Sequence, residues 1–247
     1  MLLIALKMLV GDKTKYIGIL LGLCFASFII TQQSAILVGI VKRTFGFITD
    51  TSQPNIWVMD PTAQYIDDIK ALKDTDLYRV RSVRGVEWAV PLYKGTIQAR
   101  LHNGTYQTCI LIGIDDATLI GQPPIILEGN IMDLRQPDAV FVSDVGARTK
   151  LASPSKTGSI PLKVGDTMEL NDHRAYVAGI CRVSRTSQSQ PVIYTTYGRA
   201  TSFVPSQRKL LSFILVKSNS NEPAEVVKER IMAQTGLAAY TAAYSAQ

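Results

Sequence analysis

The hydrophobic pattern divides the chain into one long apolar segment near the N-terminus and a longer region of short, alternating segments. Residues 17–30 carry no charge, and after the polar residues 31–34 the apolar character continues to Val41, before Lys42 and Arg43. A helix of about 25 residues is roughly 37 Å long, which is enough to cross a hydrocarbon core of about 30 Å. The pattern therefore predicts one transmembrane helix and a large domain outside the bilayer.

Two kinds of cleaved leader would also place an apolar segment here. A signal peptide has a shorter apolar stretch and a small-x-small cleavage site, and no A-x-A sequence follows this segment. A lipoprotein signal has a small residue before its cysteine, whereas Leu23 precedes Cys24. We therefore favour a retained membrane helix over either leader.

The residues on both sides of the apolar segment suggest how it meets the membrane. Residues 1–15 place leucines at helical spacing, which predicts a short amphipathic interfacial helix; a simple continuation of the membrane helix is the alternative. Lysines before the apolar segment favour a cytoplasmic N-terminus. Polar residues 32–34 fit the outer interface, so residues 16–48 are predicted to form a transmembrane helix and a stalk.

Short strands, helices and turns alternate over the rest of the chain. Strands are predicted over residues 55–59, 77–83, 87–101, 106–115, 139–143, 166–170, 175–183, 191–197 and 210–218. Helices are predicted over residues 65–72, 144–151 and 224–235, and a loop over residues 152–161. Asn103 and Gly104 supply a hairpin turn within residues 93–115, and Gly236 supplies a helix C-cap.

This order of elements predicts an α+β domain. A strand–helix–strand–strand segment opens it, and a strand–helix segment closes it. Such an arrangement fits a split βαβ core, with an inserted β-rich subdomain between about residues 119 and 205.

The charge and the cysteines narrow the class of protein only slightly. The net charge is +6, and the densest basic cluster is Arg79, Arg81 and Arg84, which we interpret as the wet face of a strand because two of the arginines alternate. The chain has no basic stripe interleaved with aromatic residues and no recognised nucleic-acid motif. We therefore expect no nucleic-acid binding. Cys109 and Cys181 could form a disulfide in an oxidising compartment, but buried free thiols are the favoured interpretation.

A search for catalytic and cofactor motifs finds none. The chain lacks GxxxxGK[ST], GxGxxG and GxSxG, and both histidines, His102 and His173, fall in polar turns. The acidic pair at residues 67–68 and the pair at residues 115–116 lack metal-ligand spacing, and Asp115 is better suited to capping a turn. We therefore assign no catalytic, cofactor-binding or metal-binding residue.

One polar segment stands out between two predicted strands. Residues 182–190, RVSRTSQSQ, combine two arginines, four hydroxyl residues and two glutamines. A polar hairpin is one interpretation, and a protein–protein contact is the other. For the second interpretation the candidate contact residues are Arg182, Arg185, Gln188 and Gln190.

Long stretches of the chain resemble the N-terminal part of ABC-transporter permeases of the MacB/FtsX-like class, in particular the DevC-like branch. The resemblance rests on ALKMLVGDKTKYIGILLGLCFASFIITQQSAI, DTDLYRVRSVRGVEWAVPLYKG, GIDDATLIG, VGDTMELNDHRAYVAGICRVSRTSQSQPVIYTTYGRA and LLSFILVKS, which follow one another in the same order. It extends from about residue 2 to Tyr240.

The resemblance implies a periplasmic core domain after the first membrane helix. Residues 49–118 and 206–247 would form a porter-like α/β core, and residues 119–205 the inserted β-rich subdomain. Such permeases are homodimers in the bacterial inner membrane, and they work with a cytoplasmic ABC ATPase subunit and a periplasmic adaptor, or membrane-fusion, protein. ATP hydrolysis belongs to the ATPase, so the chain itself is not expected to be an enzyme.

The resemblance also raises the question of length, because such permeases carry three more membrane helices after the periplasmic domain. We expect this chain to be either the first part of a four-helix permease or a shortened form of one. The leading hypothesis is therefore a permease subunit, or its N-terminal fragment, in an export or mechanotransmission complex. A single-span receptor or scaffold is the alternative, and a membrane-anchored enzyme would require catalytic residues that the search did not find.

Overall fold

The computed structural model describes residues 13–63, 68–101, 103–155, 158–184, 189–204 and 211–241. The chain divides into two compact units, Met1–Lys42 and Arg43–Gln247. Helix α1, Lys13–Asp50, contains a stretch, Thr14–Gly39, that is long and apolar enough to cross a membrane. The predicted apolar helix is confirmed, whereas the predicted interfacial helix over residues 1–15 lies mostly outside the described residues.

The polar residues within α1 do not interrupt the helix. The Thr31 hydroxyl donates to the Ser27 carbonyl oxygen at 2.8 Å, so this polar group is satisfied within the helix itself. Such local bonding allows a hydroxyl to be tolerated in an apolar setting.

The second unit is built mainly from strands. The strands are β1 Ile56–Met59, β2 Val86–Arg100, β3 Tyr106–Ile114, β4 Ile125–Glu128, β5 Ala139–Ser143, β6 Ser153–Ser155, β7 Gly158–Ile160, β8 Thr167–Leu170, β9 His173–Arg182, β10 Val192–Thr196, β11 Phe213–Ser218 and β12 Ala238–Thr241. The helices are α2 Asp74–Arg81, α3 Asp144–Arg148, α4 Tyr197–Phe203 and α5 Ala224–Thr235, with a 3₁₀ helix at Ile131–Arg135.

The first half of β2 belongs to an α/β part of the domain. It pairs antiparallel with β11, and the sheet continues through β1 to β12. Helices α2 and α5 bury Val80, Val227 and Ile231 in the same apolar cluster as Ile56 and Ile214 of the sheet. This hydrophobic burial fixes the two helices on one face of the sheet.

The second half of β2 belongs to a closed ring of strands. Pairing runs from β2 through β3, β10, β5, β9 and β8, and β8 returns to β2 at Ala99. Strand β4 adds to β9 outside the ring. Closure removes most of the exposed strand edges, as in small barrels.

Strand β3 shows how the ring is packed on both sides. Cys109 and Leu111 lie in one apolar cluster with ring residues such as Val177, whereas Ile112 and Ile114 lie in a second cluster with Trp57 and Phe213 of the α/β part. This alternation follows the two-residue period of a strand. The second cluster joins the two parts of the domain.

The hairpin predicted over residues 93–115 is confirmed. Strands β2 and β3 pair in register from Tyr93 opposite Gly113 to Arg100 opposite Tyr106. Gly104 has a φ of 80°, the left-handed conformation that the Asn-Gly signal anticipates. The Gly236 C-cap is likewise confirmed, with a φ of 72°.

Three local predictions are wrong. Residues 77–83 are not a strand, because residues 77–81 lie in α2, in which Asp76 and Val80 are buried at helical spacing. The Asp76 carboxylate accepts a hydrogen bond from the Lys73 N–H and so caps the first turn of the helix. The strand prediction rested on the alternation of the arginines and did not take this cap into account.

The other two wrong predictions concern a helix and a loop. Of the helix predicted over residues 65–72, residues 65–67 lie outside the described ranges. Residues 68–72 are not helical, and Leu72 forms an isolated β-bridge with Leu211. The predicted loop over residues 152–161 contains the short hairpin of β6 and β7.

The predicted subdomain boundaries stay a prediction. Residues 43–247 form one compact unit. Strand β2 links the α/β part to the ring, because it pairs with β11 of the α/β part and with β3 of the ring. The ring includes β3 as well as strands from residues 119–205, so its pairing extends beyond the segment predicted to be inserted.

Both domain cysteines are free and buried. Burial raises the pKa of Cys109 and of Cys181 to about 12, so both thiols are neutral at physiological pH. They belong to different apolar clusters, which accords with the preference for free thiols.

The ring interior gives a test of the fold. We expect Leu111→Ala, at a fully buried position, to lower the free energy of unfolding by about 2–5 kcal/mol, because it leaves a cavity. Leu127→Ala, at a position that is 37% exposed, is the matched control and should change it by about 0.5 kcal/mol or less. Denaturant unfolding of the full chain in detergent micelles measures both, and equal losses would contradict the proposed core.

Candidate functional site: the end of the helix in the domain

The last turns of α1 are part of the domain unit and form its candidate functional site. Ile48 is 3% exposed and lies in the apolar cluster that contains Trp57, Phe141 and Phe213. Because that cluster joins the α/β part to the ring, the end of the helix is packed where the two parts meet. We call the contacts of residues 46–50 the helix–domain junction.

One side of the junction contacts the segment that follows β9. The Asp50 carboxylate accepts hydrogen bonds from the Ser184 N–H at 2.7 Å and from the Ser184 hydroxyl at 2.8 Å. Gly46 also lies against Ser184, since a Cβ at Gly46 would stand 2.7 Å from the Ser184 Cβ. The charge-assisted pair and the close approach together fix the helix end to this segment.

The other side of the junction contacts the α/β part. The Phe47 ring meets Trp57 edge to face, with ring centroids 5.5 Å apart, and the Lys94 Nζ lies 4.7 Å from the Phe47 centroid. Trp57 in turn meets Phe213 of β11 at 5.8 Å. Aromatic and cation–π contacts of this kind add specific geometry to the burial.

Two polar groups at the junction are unusually buried. Lys94 is 6% exposed, and Trp57 is 1% exposed with an indole N–H that has no hydrogen-bond partner in the described parts of the chain. Burying such a donor without a partner is unfavourable, so the packing around Trp57 must outweigh that loss. A displacement of Phe47 would change the surroundings of both groups.

The structure places two of the four predicted contact residues. Arg182 ends β9, its side chain is 58% exposed, and its Nε lies 3.6 Å from the Asp144 carboxylate. Gln190 lies just before β10. Arg185 and Gln188 lie outside the described residues, so the contact role of all four stays a prediction.

Sequence reasoning did not identify the residues of the junction. Apolar helical periodicity up to Phe47 was the available signal for a stalk, but nothing marked Asp50 or Ser184, which are far apart in the chain. The acidic pair at residues 115–116 proves structural. Asp115 accepts from Thr118 and caps a turn, as predicted, and Asp116 accepts from the Gly198 N–H in the first turn of α4.

Comparison with known proteins identifies the family. Residues 17–234 match the MacB-like periplasmic core domain family, and the chain belongs to it. Domains of this family are parts of ABC-type transporter permeases, which confirms the resemblance seen in the sequence. Together with the apolar stretch of α1, the family indicates a membrane protein with a periplasmic-type domain.

Solved structures share the fold. The periplasmic region of MacB from Actinobacillus actinomycetemcomitans is 15% identical, with a TM-score of 0.55 over 80% of this chain and 92% of that one. The extracellular domain of the noncanonic ABC-type transporter YknZ from Gram-positive bacteria is 13% identical, with a TM-score of 0.50 over 76% and 99%. No curated protein sequence matches significantly.

The pairing of Asp50 with Ser184 can be tested by a double-mutant cycle. We expect Asp50→Ala and Ser184→Ala to show a coupling energy of about 1–3 kcal/mol in unfolding of the full chain, because both remove the charge-assisted bond between the Ser184 hydroxyl and the Asp50 carboxylate. The bond from the Ser184 N–H is lost only in Asp50→Ala. Asp172→Ala, combined with Ser184→Ala, is the control and should be additive. Additivity of the Asp50 and Ser184 changes would show that the bond from the Ser184 hydroxyl does not help to hold the helix end.

Proposed function

We propose that the chain is a permease subunit, or its N-terminal part, of an ABC export or mechanotransmission complex. Family membership supports the transporter class, and the helix–domain junction is the observation that carries the coupling role. In this proposal a separate cytoplasmic ATPase subunit hydrolyses ATP, and the permease converts the resulting helix displacement into movement of the periplasmic domain. The chain itself performs no catalysis.

The junction suits this role because its contacts reach both parts of the domain. Ser184 follows a ring strand, and Trp57 and Lys94 belong to β1 and β2. A displacement of the helix end would therefore act on the ring and on the α/β part together. Packed cores pass such shifts on, because they have low compressibility.

The same proposal includes the other partners and the location. The chain would act as a homodimer in the bacterial inner membrane, with the main domain in the periplasm and an adaptor of the membrane-fusion type bound to it. The exposed Arg182 at the end of β9 supports an adaptor contact near residues 182–190. Arginine is favoured in such contacts because it combines charge, several donors and a flat surface.

The coupling role predicts the effect of Phe47→Ala in the complete complex. We expect ATP hydrolysis to continue, while the nucleotide-dependent change in amide hydrogen exchange of β1 and of the residues after β9 is largely lost, because the contact of Phe47 with Trp57 and Lys94 is missing. Tyr106→Ala, which removes an exposed aromatic ring, should leave that change intact. An unaltered exchange response in Phe47→Ala would contradict the coupling role.

The adaptor contact has a separate test. Replacing Arg182 and Arg185 with Ala should weaken binding of the cognate adaptor to the full chain by about tenfold or more, which corresponds to roughly 1.4 kcal/mol. The matched control replaces Arg84 and Arg100, which removes the same charge from other surfaces. If both double variants bind equally well, the segment is not the contact.

A further inference from the structure

A small cavity lies beside the junction, between the start of α3 and the residues that flank β9 and β10. Its volume is about 230 Å³. The polar residues that line it include Ser143, Asp144, Thr149, Ser184, Ser189 and Gln190. Pockets for drug-sized ligands are about 300–1,000 Å³, so this one suits a single group of side-chain size.

The Asp144 carboxylate in this cavity has no hydrogen-bond donor among the residues that the structure describes. Its Oδ1 is buried and has no partner within the described part of the chain, and its Oδ2 stands 3.6 Å from the Arg182 Nε, which is too long for a hydrogen bond. The side chain is only 14% exposed, so bulk water compensates little. A carboxylate in this state gains from any donor that enters the cavity.

Two of the hydroxyl groups that line the cavity already use their hydrogen atoms elsewhere. The Thr149 hydroxyl already donates to the Val145 carbonyl oxygen at 2.6 Å, and the Ser184 hydroxyl and N–H both donate to Asp50. Burial is the main cause of the raised pKa of the nearby Cys181 thiol, and the negative charges of Asp144 and Asp50 raise it further. The cavity thus holds a carboxylate oxygen without a described partner, with the Asp50 carboxylate nearby and the Arg182 guanidinium 3.6 Å from the other Asp144 oxygen.

We propose that this cavity binds one alkylammonium group, with the Asp144 carboxylate as its anionic partner. The χ2 torsion of aspartate is broad, so a small rotation can turn both oxygens toward the ligand. An ammonium group supplies three donors and a compact charge, which matches a cavity of this size that contains an unbonded carboxylate oxygen. The lysine side chain of a partner protein is the assigned source; that part alone rests on the proposed adaptor contact.

The first experiment uses the full chain in detergent micelles. Its thermal unfolding is followed in n-butylammonium chloride and in tetramethylammonium chloride at equal ionic strength. Butylammonium should raise the midpoint by about 2–4 °C at a concentration well above its dissociation constant, because a ligand of the folded state stabilises it. Tetramethylammonium has the same charge without N–H donors and should give no rise; equal shifts would overturn the proposal.

Variants assign the effect to the cavity. Asp144→Asn keeps the shape and removes the charge, so the butylammonium shift should disappear, whereas Asp172→Asn, an exposed position outside this cavity, should keep it. Saturation-transfer NMR of butylammonium gives a second measurement that does not depend on stability. A signal that is unchanged in folded Asp144→Asn would place the ligand elsewhere and overturn the proposal.

The source of the ammonium group is tested with a second probe. Nα-acetyl-lysine amide should bind at least as tightly as butylammonium if a lysine of a partner protein is the ligand, and binding that is tenfold weaker would exclude that source. Neither probe involves the ATPase or the adaptor. Failure here therefore leaves the proposed coupling intact, and failure of the adaptor test leaves the ammonium site intact.

Discussion

The domain depends on one strand that serves two sheets. Strand β2 pairs with β11 through its first half and with β3 through its second half. At the changeover, the Ser212 hydroxyl accepts from the Lys94 N–H at 2.9 Å and donates to the Lys94 carbonyl oxygen at 3.0 Å. This buried pair satisfies the backbone where regular pairing changes, so the strand can continue without leaving polar groups unbonded.

The end of α1 packs against β2 at this same position, Lys94. The Lys94 side chain lies over Phe47, and Phe47 packs on Trp57, so the helix end contacts the strand at the point where the two parts of the domain separate. A force applied at this point acts on both parts at once. If the helix contacted β2 nearer either end, its displacement would act directly on one part only. The other part would be affected only indirectly, through the sheet.

The sequence predicted the elements that local signals determine. The charge-free stretch, the Asn-Gly hairpin and the Gly236 cap each depend on residues close together in the chain. Helix α2 was missed because Arg79 and Arg81 alternate as in a strand. The helix has only eight residues, so its buried positions are too few to show a helical period. Closure of the ring depends on Ala99 pairing with Leu170, and no periodicity reports a pairing between such distant residues.

The junction was hidden for the same reason, because contacts between residues that are distant in the chain hold both ends of the polar segment after β9. Ser184 is bound to Asp50 before the segment, and the Val192 N–H donates to the Ser143 hydroxyl at 3.0 Å after it. Both attachments are polar, short-range and specific in direction, unlike apolar packing. A movement of the helix end would therefore act first on the residues that line the cavity at Asp144, and in the proposed complex it would reach the partner contact through them.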